Sequence, residues 1–328
     1  VLVTGKKVLV PLYLVSLHYH SKFMLPKFNK QMKYIYGMLF LFTAFLSSCN
    51  LDSVDDPTSK NEVEIQNYIK QRNLTMQKSP DGLYYQLNTS GSTGKLKNLG
   101  DLVSFHYKLT LLDGTLVDST SRAKNINRSA VWGLSETVFT LPLSLLKEGE
   151  SGLFLVPSAL AFGGTSYNNI PPYSVIRLEI ALDAVRNESE QIALIQKTYG
   201  IVNPEKTSSG LLFKKMVDNP SGALVSTDAP VLVNYTGRLG FSYLQRDAAT
   251  GAVVYSPIFD SGTLGTPTMP FILSQRSLIP GFTEALKKMR VGEKAAVIIP
   301  YSLGYGTAGI NAIPGYSPLY FEITVIAP

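Results

Sequence analysis

The side chains that most often act as nucleophiles, general bases or metal ligands are scarce in this chain. It contains three histidines and one cysteine, Cys49. Two histidines, His18 and His20, lie within the first 48 residues, which leaves His106 as the only histidine in the rest of the sequence. These counts exclude a His/Cys zinc site, a Cys-His nucleophile pair and a disulfide bond within the chain. His106 lies in a strand-like run, where we expect a structural or surface role.

A short apolar segment precedes Cys49 and indicates a role for this cysteine other than catalysis or metal binding. Tyr34–Leu46 is a run of 13 mostly apolar residues, and Ser47-Ser48 directly precedes the cysteine. A transmembrane helix needs about 20 apolar residues, so the run fits the apolar part of a signal peptide instead. The segment resembles a bacterial lipoprotein signal, which implies a lipid on Cys49 and a membrane-anchored product in the periplasm or on the cell surface. The alternative is a buried free cysteine beside a core helix.

This reading makes residues 1–48 a leader and residues 49–60, which are polar and acidic, a tether between the membrane and a folded body. Met24 and Met32 are both candidate starts of the leader, so residues 1–31 are left out of the predicted fold. The leader also carries the net charge of +6, because it has six lysines and no acidic residue. From Cys49 onward 24 basic residues face 24 acidic ones, which removes the electrostatic basis for binding nucleic acid.

The remainder of the sequence contains one unit twice. Residues 82–85 correspond to residues 210–213 at an offset of 128, whereas Phe139 corresponds to Phe282 at an offset of 143. The second copy therefore has 15 additional residues, almost all between positions 235 and 260. With a length of 328 residues and 45% hydrophobic residues, two folded domains are expected.

We call residues 61–186 the N-terminal repeat and residues 187–328 the C-terminal repeat. The C-terminal repeat carries a run of short motifs, which are Tyr235-Thr236-Gly237, Phe259-Asp260-Ser261, Leu278–Phe282, Leu303–Gly306 and Ile313-Pro314. In this order and spacing the repeat resembles an FKBP-type peptidyl-prolyl cis-trans isomerase domain. The resemblance covers roughly residues 210–328 and implies an α+β fold in each repeat, a curved antiparallel β-sheet wrapped around a short α-helix. It also implies an apolar proline pocket between sheet and helix, with no cofactor and no metal.

Carried over residue by residue, the resemblance implies catalytic roles for Tyr235, Asp260 and Tyr305. The residues implied in substrate binding are Phe259, Phe271, Leu278, Ile279, Phe282, Ile313 and Phe321. The hydroxyl of Tyr305 is expected to donate to the substrate carbonyl, and Asp260 is expected at the pocket edge. At the floor of the pocket, Phe282 stands where the family usually has tryptophan, and Gly315 stands where it usually has a second proline. These two departures imply reduced or altered specificity.

The N-terminal repeat contains a weaker version of the same pocket. Its counterparts are Tyr107, Val117, Asp118, Phe139, Phe162, Ile170 and Leu178. Val117, Phe162 and Leu178 replace an aromatic residue, a tyrosine and a phenylalanine. We therefore expect activity mainly in the C-terminal repeat, and the sequence leaves open whether the N-terminal repeat is active.

The function implied is prolyl isomerisation of proline-containing polypeptides, as a folding assistant in the bacterial cell envelope. A planar amide is more dipolar than its twisted transition state, so an apolar pocket favours rotation without a nucleophile. The alternative is a lipoprotein without catalysis, which holds proline-containing or apolar segments as a binding module or chaperone in an envelope complex.

The elements expected to position these residues follow from the spacing of apolar side chains. Amphipathic helices are predicted at Glu62–Leu74 and Glu188–Tyr199, where each repeat begins, and a core helix at Thr283–Met289. The predicted strands of the C-terminal repeat are Val231–Leu239, Val253–Phe259, Lys294–Ile299 and Leu319–Ile326. The additional residues around Gln245–Tyr255 predict a hairpin or flap.

Overall fold

The computed structural model describes residues 56–124, 126–134, 137–246, 253–266, 271–275 and 277–326. These residues belong to one compact unit. The predicted leader, Cys49 and most of the predicted tether lie outside the described residues. Within them, no helix is long and apolar enough to cross a membrane.

The four α-helices of the described residues have 5 to 15 residues. They are α1 (Pro57–Gln71), α2 (Thr140–Ser144), α3 (Glu188–Thr198) and α4 (Pro280–Lys287). The strands of the N-terminal repeat are β1 (Gln77–Lys78), β2 (Tyr84–Asn88), β3 (Leu102–Leu111), β4 (Leu116–Ser119), β5 (Arg128–Val131), β6 (Ser151–Val156) and β7 (Ile176–Arg186). Those of the C-terminal repeat are β8 (Glu205–Lys206), β9 (Leu212–Val217), β10 (Pro230–Arg246), β11 (Val253–Leu264), β12 (Phe271–Ile272), β13 (Lys294–Ile299), β14 (Gly309–Ile310), β15 (Ile313–Pro314) and β16 (Leu319–Ile326).

The two repeats form the same kind of sheet. In the N-terminal repeat the strand order is β1-β2-β6-β7-β3-β4 with β5 paired to β3, and in the C-terminal repeat it is β8-β9-β13-β16-β10-β11 with β12 paired to β10. Every pairing within these sheets is antiparallel. The seven strands of one sheet therefore correspond one to one with the seven of the other, while β14 and β15 pair separately. This correspondence confirms the predicted α+β class with two similar domains.

The core of the C-terminal repeat lies between helix α4 and one face of its sheet. Phe282, Ala285 and Leu286 on α4 are buried against sheet residues such as Val297 and Ile323. The helix begins at Pro280, three residues before the predicted start, because proline fits the first turn of a helix, where its missing N–H is not needed. The matching helix of the N-terminal repeat, α2, has five residues.

Helices α1 and α3 cover the opposite faces of the two sheets. Ile65 of α1 packs on Tyr84 and Leu155, and Ile195 of α3 packs on Ile298 and Tyr320. Strand residues alternate between the two faces of a sheet, so each sheet is buried on both sides in these regions. Helix α1 begins at Pro57, inside the predicted tether, because the side chain of Asp56 accepts a hydrogen bond from the backbone N–H of Thr58 and caps it.

The additional residues of the C-terminal repeat lengthen one hairpin. Strand β10 has 17 residues and β11 has 12, and their pairing continues from Val233 opposite Leu264 to Arg246 opposite Val253. Two register irregularities interrupt this pairing between Gly237 and Tyr243. Both strands are longer than predicted, and their far ends form the hairpin that the sequence indicates.

Candidate functional site

The structure brings the predicted pocket residues of the C-terminal repeat together. They come from strands β10, β11, β12, β15 and β16, from helix α4 and the segment before it, and from the loop after β13. Phe271, Phe282, Ile313 and Phe321 are buried in the core. Partly buried side chains packed against this core include Tyr235, Phe259, Leu278, Ile279 and Tyr305. Asp260, which is exposed, joins the group through the hydroxyl of Tyr235. Their roles in binding and catalysis remain predictions.

Aromatic rings make up the floor and one wall of this pocket. The ring of Phe282 meets that of Tyr235 at a centroid distance of 5.7 Å and an interplanar angle of 80°. It meets Phe321 at 5.1 Å and 76°, and Phe321 in turn meets Phe259 at 5.5 Å and 86°. Edge-to-face pairs of this kind contribute about 0.5–1.5 kcal/mol each beyond the area that they bury. The rings therefore hold one another in place and give the pocket a fixed apolar surface.

Gly237 makes room for two of these rings and was not singled out from the sequence. A Cβ atom at this position would lie 2.6 Å from the ring of Phe259 and 2.7 Å from that of Phe321. Gly237 pairs with Asp260 on one side and with Phe321 on the other. A glycine inside a strand often marks such a close approach, so this signal could have identified it.

Tyr235 and Asp260 form the polar edge of the pocket. The hydroxyl of Tyr235 donates a hydrogen bond to Oδ2 of Asp260 at 2.8 Å. The strand register explains this contact, because Asp260 lies diagonally across from Tyr235 on the neighbouring strand. Burial, and then the hydrogen bond to Asp260, raise the pKa of Tyr235 to about 12. At neutral pH this phenol is therefore uncharged and is oriented by the carboxylate.

Tyr305 presents the second phenol. Burial raises its pKa, and the negative charge of Asp260 raises it further, so that its hydroxyl keeps its proton at neutral pH. Among the hydrogen bonds that join described residues, none involves this hydroxyl. It is therefore available as a donor to a carbonyl oxygen entering the pocket. No group of three or more His, Cys, Asp or Glu side chains within the described ranges could hold a metal ion.

The pocket of the N-terminal repeat keeps the polar pair but lacks the aromatic wall. Tyr107 donates to Oδ2 of Asp118 and meets the ring of Phe139 at 4.7 Å and 61°. Ile170 and Leu178 are buried in the same core, and Val117 and Phe162 pack against it. At the position equivalent to Gly237 stands Leu109, which pairs with Asp118 and Leu178.

The two pockets thus fill the same space in different ways. Glycine and two phenylalanines in the C-terminal repeat are replaced by Leu109, Val117 and Leu178 in the N-terminal repeat, where all three pack into the core. Aliphatic side chains therefore occupy the positions at which the rings of Phe259 and Phe321 meet edge to face in the C-terminal repeat. The predicted residues are brought together in both repeats, but a wall of crossed rings is present in one.

Arg128 is a further residue of the N-terminal pocket that the sequence did not indicate. Its guanidinium carbon lies 4.8 Å from the centroid of the Phe139 ring, the predicted floor. A cation over an aromatic face is attracted to the ring. Strand β5 carries Arg128 opposite Phe105 of β3, and no motif in the sequence pointed to this placement.

Comparison with known proteins identifies a family for both repeats. The sequence pattern of the FKBP-type peptidyl-prolyl cis-trans isomerase family matches residues 94–183 and 224–326. A similar curated protein is peptidyl-prolyl cis-trans isomerase FKBP9 of Rattus norvegicus, 25% identical over 276 residues, which cover 83% of this chain and 39% of the rat protein. The macrophage infectivity potentiator of Trypanosoma cruzi is 36% identical over 124 residues, which are 37% of this chain and 55% of that protein. This chain therefore spans less than two thirds of either relative.

One solved structure similar to this chain comes from a bacterium. The crystal structure of FkpA from Escherichia coli is 25% identical and covers 49% of this chain and 74% of that chain, with a TM-score of 0.35.

Proposed function

The chain belongs to the FKBP-type peptidyl-prolyl cis-trans isomerase family, and we propose that it catalyses prolyl cis-trans isomerisation, mainly in the C-terminal repeat. The substrates are proline-containing segments of polypeptides. The observation that carries this proposal is the combination of an apolar aromatic pocket with two neutral phenols, Tyr235 and Tyr305, at its edge.

The proposed mechanism combines an apolar environment for the amide with one hydrogen bond that holds it. Rotation about a peptide bond meets a barrier of about 18–20 kcal/mol because the C–N bond is conjugated. The twisted amide is less dipolar than the planar one, so moving it from water to the rings of Phe282 and Phe321 favours the twisted form. The hydroxyl of Tyr305 donates to the substrate carbonyl and holds it while the proline ring turns. Asp260 keeps the neighbouring Tyr235 oriented by accepting its hydrogen bond.

The asymmetry between the repeats supports placing the activity in the C-terminal one. Gly237 allows the rings of Phe259 and Phe321 to meet edge to face and to form an aromatic wall. In the N-terminal repeat Leu109 fills the equivalent space and Arg128 lies over the floor. An aliphatic wall beside a charged group is a poorer environment for a twisting amide.

The location of the protein is the second part of the proposal. The apolar run before Cys49 supports a lipid anchor on this cysteine and thus a bacterial lipoprotein, on the periplasmic side or on the cell surface. There it would assist the folding of envelope proteins. Stable anchoring requires two or more lipid chains or a comparable second signal. Cys49 lies outside the described residues, so the support comes from the sequence.

The test of the activity is a protease-coupled isomerisation assay with a proline tetrapeptide and the full chain, compared with the Tyr305→Phe variant. We expect catalysis by the parent chain and a loss of up to about tenfold in kcat/KM in the variant, since one hydrogen bond is worth about 0.5–1.5 kcal/mol. If the peptide binds but its isomerisation is not accelerated, the chain is a binding module, and the proposed activity is wrong.

A further inference from the structure

The long hairpin of the C-terminal repeat reaches the N-terminal repeat. The hydroxyl of Tyr255, on strand β11, donates a hydrogen bond to the backbone oxygen of Asn127 at 2.5 Å. These residues are 128 positions apart, and strand β10 of the same hairpin lies beside β5. Tyr255 is partly buried as a result. The added residues of the C-terminal repeat therefore make a specific contact with its neighbour.

This contact lies next to a residue of the N-terminal pocket. Asn127 directly precedes Arg128, whose guanidinium covers the ring of Phe139 at the floor. Burial raises the pKa of Tyr255, and the charges of Arg128 and Asp118 act on the same hydroxyl in opposite directions. Arg128 and Asp118 are pocket residues, so the hydroxyl of Tyr255 is within electrostatic range of both.

The tyrosine that donates a hydrogen bond to the pocket aspartate is more buried in the N-terminal repeat than in the C-terminal repeat. Tyr107 retains 8% of its accessible surface and counts as core, whereas Tyr235 in the C-terminal pocket is only partly buried. Burial and the hydrogen bond to Asp118 raise the pKa of Tyr107. Tyr107 is thus more buried than Tyr235, and it belongs to the repeat that the hairpin contacts.

We propose that the N-terminal pocket is a docking site for the β10–β11 hairpin of the C-terminal repeat and not a second substrate site. In this proposal Tyr255 covers the pocket, and Arg128 lies over Phe139 beneath it. The N-terminal repeat then serves as a support that holds the hairpin. This assignment explains together why the C-terminal repeat has the extra residues, why a cation lies on the floor, and why the aromatic wall is missing.

The tryptophan of the chain provides a local reporter. Trp132 is the only tryptophan in the sequence. It lines a cavity of about 50 Å³ together with Arg128 and Phe139. Its fluorescence should therefore respond to a ligand that enters the N-terminal pocket.

The first measurement uses the unaltered full chain and acetyl-Ala-Leu-Pro-Phe-amide as the probe. Hydrogen–deuterium exchange is followed with and without saturating peptide. We expect slower exchange around Tyr235 and Phe321 and unchanged exchange in strands β3 and β5. Slower exchange in β3 and β5 of the unaltered chain would overturn the proposal, because the N-terminal pocket would then be open to peptide.

The second measurement compares Tyr255→Ala with Tyr255→Phe in the same chain, using Trp132 fluorescence. Removing the ring should uncover the pocket and make the peptide bind there about tenfold more tightly than in the parent, since a closed state lowers apparent affinity by the fraction that is open. Tyr255→Phe keeps the covering ring and should change the affinity less. If Tyr255→Ala binds no more peptide at Trp132 than the parent does, the hairpin does not close this pocket and the proposal is wrong.

Discussion

Phe259 and Phe321 meet edge to face at 5.5 Å directly beside Gly237, which has no side chain to keep them apart. The two phenylalanines lie on strands that flank β10, on opposite sides of the glycine. The aromatic wall of the C-terminal pocket therefore depends on a residue without a side chain.

Replacing this glycine should disturb both rings at once. In Gly237→Ala, the new methyl group would lie 2.6 and 2.7 Å from the two rings, so at least one of them must move. We expect a loss of about 1–3 kcal/mol in the free energy of unfolding, as for other overpacked cores. We also expect kcat/KM to fall at least about tenfold, because the wall that favours the twisted amide is displaced.

Urea unfolding and the isomerisation assay measure the two effects. The matched control is Leu109→Ala at the equivalent position of the N-terminal repeat, which should lower stability by about 2–5 kcal/mol through a cavity and leave activity unchanged. Full activity in a folded Gly237→Ala variant would contradict the role of the crossed rings.

Part of this arrangement follows from the sequence. The repeat offsets predict that equivalent pocket positions recur in both repeats, and the structure brings together every pocket residue that the resemblance implies. Gly237 belongs to a motif found in the sequence, but the need for a glycine there arises from side chains on the neighbouring strands β11 and β16. The placement of Arg128 over Phe139 and of Tyr255 on Asn127 could not be predicted, because each depends on strand pairing or on packing between the repeats.

Element boundaries were also only partly predictable. Periodicity places α4 at Thr283–Met289, whereas the helix covers Pro280–Lys287. The proline at its start is a positional signal that apolar spacing does not contain. In the same way, Asp56 and Pro57 mark the start of α1 before the first apolar residue that the helix buries.

The pKa of Tyr235 predicts how stability depends on pH. Its value of about 12 in the folded chain lies above the ordinary value of 10.0. Folding thus favours the neutral phenol. Its contribution to the free energy of unfolding is fully present below pH 10 and is lost as the pH rises from 10 through 12. The measurement is the free energy of unfolding of the parent and of Tyr235→Phe in this range. The parent should lose more stability than the variant, while the other tyrosines affect both chains alike. Parallel curves would show that Tyr235 titrates normally.

The lipid anchor is tested by Cys49→Ala. We expect the parent to partition with membranes and the variant to appear in the soluble fraction, since the variant has no site for lipid chains. Ser48→Ala, which keeps a small residue before the cysteine, is the control and should partition like the parent. A Cys49→Ala protein that stays with membranes after a high-salt wash would rule out the lipoprotein proposal.

The central claim, that prolyl isomerisation takes place mainly in the C-terminal repeat, is tested most directly by a matched pair of variants in the full chain. Asp260 and Asp118 are both exposed and both accept a hydrogen bond from a pocket tyrosine, so changing either to alanine removes the same interaction. In the protease-coupled assay we expect Asp260→Ala to lower kcat/KM by about tenfold and Asp118→Ala to leave it within about twofold of the parent. Equal losses in the two variants, or full activity in the double variant of Asp260→Ala and Tyr305→Phe, would contradict this account.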